Sequence, residues 1–242
     1  MATTPPSLDQ FLENDSVALF LDFDGTLVDI APTHDSIAPL PDLGRRLKGL
    51  VDRLNGAVAL VSGRSLDDIA RHIGALPVAG AGSHGADIRD PQGNPIGQAA
   101  GELPDTIATA MHDYAAVHGL GYEAKPHGAA LHYRSAVPKG PAAHAFAEGL
   151  ATSHGWTTQS GKCVVEVVAG KADKGSAVRT LMQVSPFAGA LPIFIGDDLT
   201  DEKGFAACTE AGGAGILVGE RENSVARYQL PDVASVHRWL GL

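Results

Sequence analysis

The segment Asp22-Phe23-Asp24-Gly25-Thr26 sets two carboxylates on either side of one aromatic residue, followed by a glycine and a hydroxyl. A carboxylate with an ordinary pKa of ~3.9 is ionised at neutral pH, so Asp22 can attack a phosphorus atom with no base to activate it. Asp24 can then protonate the departing oxygen, and later deprotonate the water that hydrolyses the aspartyl phosphate. That double duty needs a raised pKa, which a neighbouring carboxylate and partial burial would supply. Gly25 permits a sharp turn that offers backbone N–H groups, that of Thr26 included, to a phosphate. The alternative is an Asx-type turn with solvated carboxylates.

A carboxylate and a phosphate dianion repel by ~4 kcal/mol for each pair of unit charges at 4 Å and an effective dielectric of 20, so a hard cation must intervene. Gly196-Asp197-Asp198-Leu199-Thr200-Asp201 offers more oxygen ligands. Few carboxylates plus water and phosphate is the usual pattern for Mg²⁺. Asp22 and Asp197 are expected as direct ligands with the Asp24 carbonyl, and Asp198 as a ligand through water. Asp201 is read equally as a group that orients the ligands and as an acidic helix start. Ser62 can donate to a phosphoryl oxygen, beside Gly63, and Arg64 is a phosphate or interdomain contact. Lys174 can neutralise Asp22 and the phosphate. A strand-end serine is otherwise a turn residue, and a lysine a solvated charge.

These residues need one scaffold edge. The apolar run VALFL at 17–21 and AVALV at 57–61 are the continuous patterns of parallel strands buried on both faces, with Asp22 and Ser62 just beyond their ends. Leu43, Leu47, Leu50, Val51 and Leu54 between them have helical spacing. A helix at 65–73 with Ser65 or Asp67 near its cap, a strand at 77–81 and a tight loop at 82–85 follow. The pattern resumes with a helix from Asp173, the run PIFI before Gly196, a helix from Thr200, a strand at 214–218 and a helix toward Leu240. This predicts an α/β wound sheet whose ligands sit at the carboxyl ends of the strands. In between, helices at 103–118 and 140–154 alternate with strand pairs at 121–125, 129–134, 156–160 and 162–168. Gly128-Ala129 and Ser160-Gly161 are read as the hairpin turns. The expected organisation is a core of 1–100 and 170–242 carrying a smaller α+β domain at 101–169, after a frayed leader.

The 242 residues include 44% hydrophobic and 19% charged, which describes a globular protein. With 28 acidic against 18 basic residues, the net charge of −10 has the wrong sign for a phosphate backbone, and aromatic platforms are scarce; nucleic-acid binding is not expected. Cys163 and Cys208 are read as reduced core thiols. The opening MATTPPSLDQ has no basic leader and no run approaches the ~18 apolar residues of a membrane span, so no membrane association and a cytoplasmic location are expected.

DFDGT, VSGR, a lysine and GDDLTD in this order resemble the haloacid dehalogenase-like phosphatase superfamily over about 1–98 and 170–242. LFLDFDGTL, LVSGR, GSHGADIR, LHYR, GKCVVEV and FIGDDLTDE are further similar to the trehalose-6-phosphate phosphatase family across nearly the whole chain. The resemblance implies a Rossmann-like core with a cap inserted after the third core strand, Mg²⁺ as cofactor, and hydrolysis of trehalose 6-phosphate. It implies Asp22 as nucleophile, Asp24 as acid and base, Ser62 and Lys174 as phosphate ligands, Asp197 as metal ligand, and a trehalose-phosphate synthase as partner. It also places Glu123, Lys125, Lys162 and Glu166 on the distal glucose. Strand parity agrees, since Glu123 and Lys125, and Lys162 and Glu166, each leave one face of a strand. Without the resemblance these are two cross-strand ion pairs on a solvated face. His132 and Arg134 share a face by the same parity, and His84 sits in the loop leading to the cap; a lone His or Arg is more often structural. Competing readings are another capped sugar phosphatase, for sucrose or glucosylglycerol phosphates, and a non-catalytic sugar-phosphate sensor.

Overall fold

Every side chain of Val17–Leu21, the strand β1, is buried, with Val17, Leu19 and Leu21 in one hydrophobic cluster and Ala18 and Phe20 in another. That is the signature of a strand covered by helices on both faces. The computed structural model describes residues 3–31, 36–97, 101–125, 127–161, 163–168 and 172–242. After α1 (Leu8–Leu12) and β1 come α2 (Leu43–Arg53), β2 (Val58–Val61), α3 (Leu66–Ile73), β3 (Ala79–Gly82), a 3₁₀ turn (Ser83–Gly85) and β4 (Asp87–Arg89). Then follow α4 (Asp105–His118), β5 (Gly121–Lys125), β6 (Gly128–His132), a 3₁₀ segment (Arg134–Lys139), α5 (Gly140–Ser153), β7 (Thr157–Gly161) and β8 (Val164–Val168). The chain finishes with α6 (Lys174–Leu181), β9 (Leu191–Gly196), a 3₁₀ turn (Leu199–Asp201), α7 (Glu202–Glu210), β10 (Ala214–Val218), β11 (Tyr228–Leu230) and α8 (Val233–Leu240).

The chain forms two compact units, Met1–Gly97 with Asp173–Leu242, and Gln98–Ala172. The first holds a seven-stranded sheet in the order β11-β10-β9-β1-β2-β3-β4, parallel except for β4 against β3. Apolar side chains of α2, α3 and α8 cover one face, and those of α6 and α7 the other. Leu21 stands in register with both Leu60 and Ile195. Strands β9, β1 and β2 therefore end together, and Asp197, Asp22 and Ser62 leave the sheet at one edge.

The second unit is a four-stranded antiparallel sheet, β5-β6-β8-β7. Ile107, Met111 and Ala115 of α4 and Ala143, Ala147 and Ala151 of α5 pack on Ala129, Leu131, Val165 and Val167. Glu123, Ala130, Glu166 and Gln159 form one row across the strands, with the parity opposite to that of the helix-covered residues. The architecture is the expected capped α/β class. Among the described residues no helix is long and apolar enough to cross a membrane.

Several local expectations are corrected. Gly128-Ala129 and Ser160-Gly161 lie inside β6 and β7, so the turns fall one or two residues away. Gly128 is needed for close strand approach: a Cβ there would meet the Val167 carbonyl oxygen at 2.5 Å. Cys163 is a partly exposed turn residue with φ +63°, not a core thiol, whereas Cys208 is buried; both are free. Arg134 opens the 3₁₀ segment and shares no strand with His132. The described residues of the leader are not frayed: a Ser7–Gln10 capping box closes α1, and Trp239 Nε1 donates to the Pro6 carbonyl at 2.7 Å. The short strands β4 and β11 lack any periodic signal of their own.

Candidate active site

Lys174 stands in the first turn of α6, behind a capping box in which the Asp173 carboxylate accepts from the Ser176 N–H at 2.6 Å. Its ammonium donates to Asp22 Oδ1 at 2.8 Å and to Asp201 Oδ1 at 2.5 Å, and all three side chains are buried. The other Asp201 oxygen accepts from the Asp198 N–H at 2.8 Å. Asp201 is thus both a cap and a partner of Lys174. Asp198 turns Oδ1 to the Leu199 N–H at 2.6 Å, starting the 3₁₀ turn.

Asp22, Asp197 and Asp201 offer carboxylate oxygens that all lie within 4.8 Å of one another. Burial raises Asp22 well above the ordinary carboxylate range, Asp201 raises it further, and Lys174 opposes both. This corrects the expectation of an ordinary pKa at Asp22, which took no account of burial. Burial pushes Asp197 up to about 7, with Asp201 and Asp198 adding to the shift. The Lys174 ammonium is penalised by burial, yet the charges of Asp201 and Asp22 outweigh that and hold it protonated. Three carboxylates against one ammonium leave an excess of negative charge and hard oxygen donors, the chemistry that suits a divalent cation. Both Asp201 oxygens are engaged by donors, so Asp22 and Asp197 are the better placed to hold it.

Gly25 has φ +76°, and a Cβ on it would lie 2.2 Å from Asp197 Oδ2, so no other residue fits between the two segments. Its N–H donates to the Val28 carbonyl at 2.7 Å, and that of Thr26 reaches the Phe23 carbonyl at 3.4 Å. Contrary to expectation, these amides serve the turn itself. The Thr26 hydroxyl is buried without a hydrogen-bond partner among the described residues. Ser62 is buried, and its Oγ accepts from the Arg64 N–H at 3.1 Å, which leaves its own proton to give. The His84 ring packs against Gly63, and the His84 N–H donates to the Ser62 carbonyl at 2.9 Å. Ser83 and His84 hold φ +48° and +57°. Left-handed backbone costs about 1–2 kcal/mol per such residue, so this loop stores strain against the Ser62 segment.

Arg64 faces two carboxylates. Its Nε and Nη2 donate to Asp24 Oδ2 and Oδ1 at 2.6 and 2.8 Å, and its Nη1 donates to Asp68 Oδ2 at 2.7 Å. The expected carboxylate neighbour of Asp24 is therefore a guanidinium. Asp68 was missed in the sequence, where it reads as part of an acidic helix start. Its signal was the i, i+4 spacing from Arg64.

In the second unit Lys125 Nζ donates to Glu166 Oε1 at 2.6 Å, with the side chains only 5% and 7% exposed. His132 Nε2 lies 2.9 Å from Glu123 Oε2. The first pair is buried, so the picture of a solvated charged face does not hold there. Lys162 lies outside the described residues, and Arg134 is exposed.

A sequence model described as trehalose-phosphatase matches residues 20–234. A trehalose-6-phosphate phosphatase of Escherichia coli is 38% identical over 234 residues, which is 92% of this chain and 85% of that protein. The solved C-terminal domain of C. albicans trehalose-6-phosphate phosphatase has a TM-score of 0.79 at 23% identity, covering 99% of this chain and 97% of its own. A haloacid dehalogenase-like hydrolase from B. subtilis has a TM-score of 0.61 at 17% identity, covering 93% and 99%. At such identities the two structures speak for the fold, a haloacid dehalogenase-like one. The matched sequence runs from β1 into α8 and takes in the Asp22, Ser62, Lys174 and Asp197 segments together, so the chain belongs to the trehalose-phosphatase family.

Proposed function

We infer that this chain is a phosphatase that hydrolyses trehalose 6-phosphate to trehalose and phosphate through an aspartyl phosphate. The observation that carries the reading is the buried Asp22 carboxylate at the end of β1, held by Lys174 at 2.8 Å, with Asp24 two residues on and Asp197 at the same edge.

In the first half, an Asp22 oxygen attacks phosphorus, the bond from phosphorus to the sugar oxygen breaks, and Asp24 gives that oxygen its proton. In the second, Asp24 takes a proton from water, the water oxygen attacks phosphorus, and the bond to Asp22 breaks. Asp24 has then regained the proton it gave. Lys174 orients Asp22 and balances the phosphoryl charge, and Ser62, beside Gly63 and Thr26, donates to phosphoryl oxygens. Mg²⁺ would be held by Asp22, Asp197 and the Asp24 carbonyl, with Asp198 acting through water, and would offset the repulsion between Asp22 and the phosphate.

The inserted region at 101–169 is the sugar-recognising cap of a core at 1–100 and 170–242. Glu123, Lys125, Glu166 and Lys162 bind hydroxyls of the distal glucose, and His132 supports Glu123. The reading also carries a trehalose-phosphate synthase as partner and the cytoplasm as location.

Phosphate release over a panel of trehalose 6-phosphate, sucrose phosphate, glucosylglycerol phosphate and an aryl phosphate, with and without Mg²⁺, tests the function. Preference for trehalose 6-phosphate and dependence on Mg²⁺ are expected. Equal turnover of another sugar phosphate, or none of any, would overturn it.

A further inference from the structure

The geometry points to Arg64 and Asp68 as positioning residues that fix the orientation of Asp24 and take no part in holding phosphate. The inference rests on the reading of Asp24 as acid and base.

The Asp24 side chain is 34% exposed and has room to turn, whereas that of Arg64 is 6% exposed. Two bonds run from one planar guanidinium edge to the two oxygens of one carboxylate, at 2.6 and 2.8 Å. Such a fork sets the carboxylate plane as well as its distance, which a single bond cannot do. Each oxygen keeps a further lone pair, so the carboxylate can still exchange a proton while its plane is held.

The guanidinium is held in turn. Asp68, with a side chain 4% exposed, takes Nη1 at 2.7 Å, and the Phe23 ring centroid lies 6.0 Å from the guanidinium carbon. The Arg64 backbone is pinned on both sides, its N–H by Ser62 Oγ at 3.1 Å and its carbonyl by the Ser83 N–H at 2.8 Å. Asp68 stands in the first turn of α3, where Ser65 Oγ accepts from its N–H at 3.2 Å. Its side chain is left to reach Arg64 and, at 2.5 Å, Arg71.

Charge points the same way. Arg64 meets two carboxylates, so its positive charge is compensated before any phosphate arrives. Lys174 also meets two carboxylates, but one of them is Asp22, whose charge is lost when it bonds to phosphorus.

The test uses the full chain with Mg²⁺. Arg64→Lys keeps the charge and loses the fork; Asp68→Asn keeps the shape and loses the charge that anchors the guanidinium. First-turnover cleavage of trehalose 6-phosphate should slow by about 100-fold in each, the cost of misplacing a reacting group by about 1 Å. The first-turnover release of dinitrophenolate from dinitrophenyl phosphate should change little, because that oxygen leaves without a proton. Inhibition by inorganic phosphate should also be unchanged. If either folded variant loses both substrates in proportion, loses affinity for phosphate, or loses nothing, the positioning role is wrong. Should Arg64→Lys fail to give the wild-type circular dichroism, Asp68→Asn decides. Asp24→Asn separates the two ideas. If it lacks the leaving-group dependence, the acid–base reading falls and the pair's role falls with it. If it shows the dependence and the other two variants do not, the pair alone is refuted.

Discussion

Lys174 Nζ donates to Asp22 Oδ1 at 2.8 Å, and the two side chains are 3% and 6% exposed. An ammonium so enclosed is bound to its carboxylates in both senses. It holds Asp22 in place, and it keeps Asp22 and Asp201 from facing each other uncompensated.

Lys174→Met should therefore abolish turnover and also cost stability. Breaking a buried ion pair from one side costs about 3–5 kcal/mol. The stranded carboxylates retain protons that the unfolded chain has released, so stability should fall further as pH rises from about 5 to about 8. Urea denaturation at the two pH values checks this. Equal losses at both would show that the carboxylates do not depend on Lys174.

Asp197 titrates at about 7 in the folded chain against 3.8 for an ordinary aspartate. Between those values the native state holds more protons than the unfolded one, so the metal-free chain loses stability as pH rises through that window. Mg²⁺ takes ionised carboxylates, and its stabilising effect should be larger at about pH 8 than at about pH 5. At a hundredfold excess over Kd the gain in Tm should be roughly 5–10 °C. A gain that ignores pH, or survives EDTA, would place the ion elsewhere.

Asp22→Asn should abolish release of phosphate from sugar and aryl esters alike, since an amide is a poor nucleophile. It also removes one of the crowded carboxylates, so circular dichroism should be unchanged. Substantial residual turnover with that spectrum would exclude Asp22 as nucleophile.

Glu123→Gln should affect the sugar and spare the phosphoryl chemistry. Losing one charge-assisted hydrogen bond to a hydroxyl costs about 1.5–3 kcal/mol, or roughly 10- to 150-fold in kcat/KM for trehalose 6-phosphate. An aryl phosphate has no distal glucose, and its turnover should hold. A proportionate fall in both would make Glu123 a structural partner of His132.

Local patterns were legible where one strand or helix carries its own signal. Val17–Leu21 and Ala214–Val218 are continuous apolar runs, and Ser65 caps α3 as its position indicates. Gly128 misled because a glycine demanded by a neighbouring strand looks the same in sequence as one demanded by a turn. The leader misled because its anchor, Trp239, comes from the far end of the chain.

From its own order of residues the chain determined that Asp22 and Ser62 end buried strands and that Asp197 follows a third, since strand periodicity is a local property. Parallel pairing in register then gathers such ends at one edge. Only the tertiary structure decided which charges meet. Asp22 and Lys174 are 152 residues apart, and Asp24 and Arg64 are 40 apart. The proton affinities of Asp22 and Asp197 arise from water removed and charges delivered by segments remote in sequence. Desolvation and Coulomb energy depend on distance in space, and that distance exists only once the chain has packed.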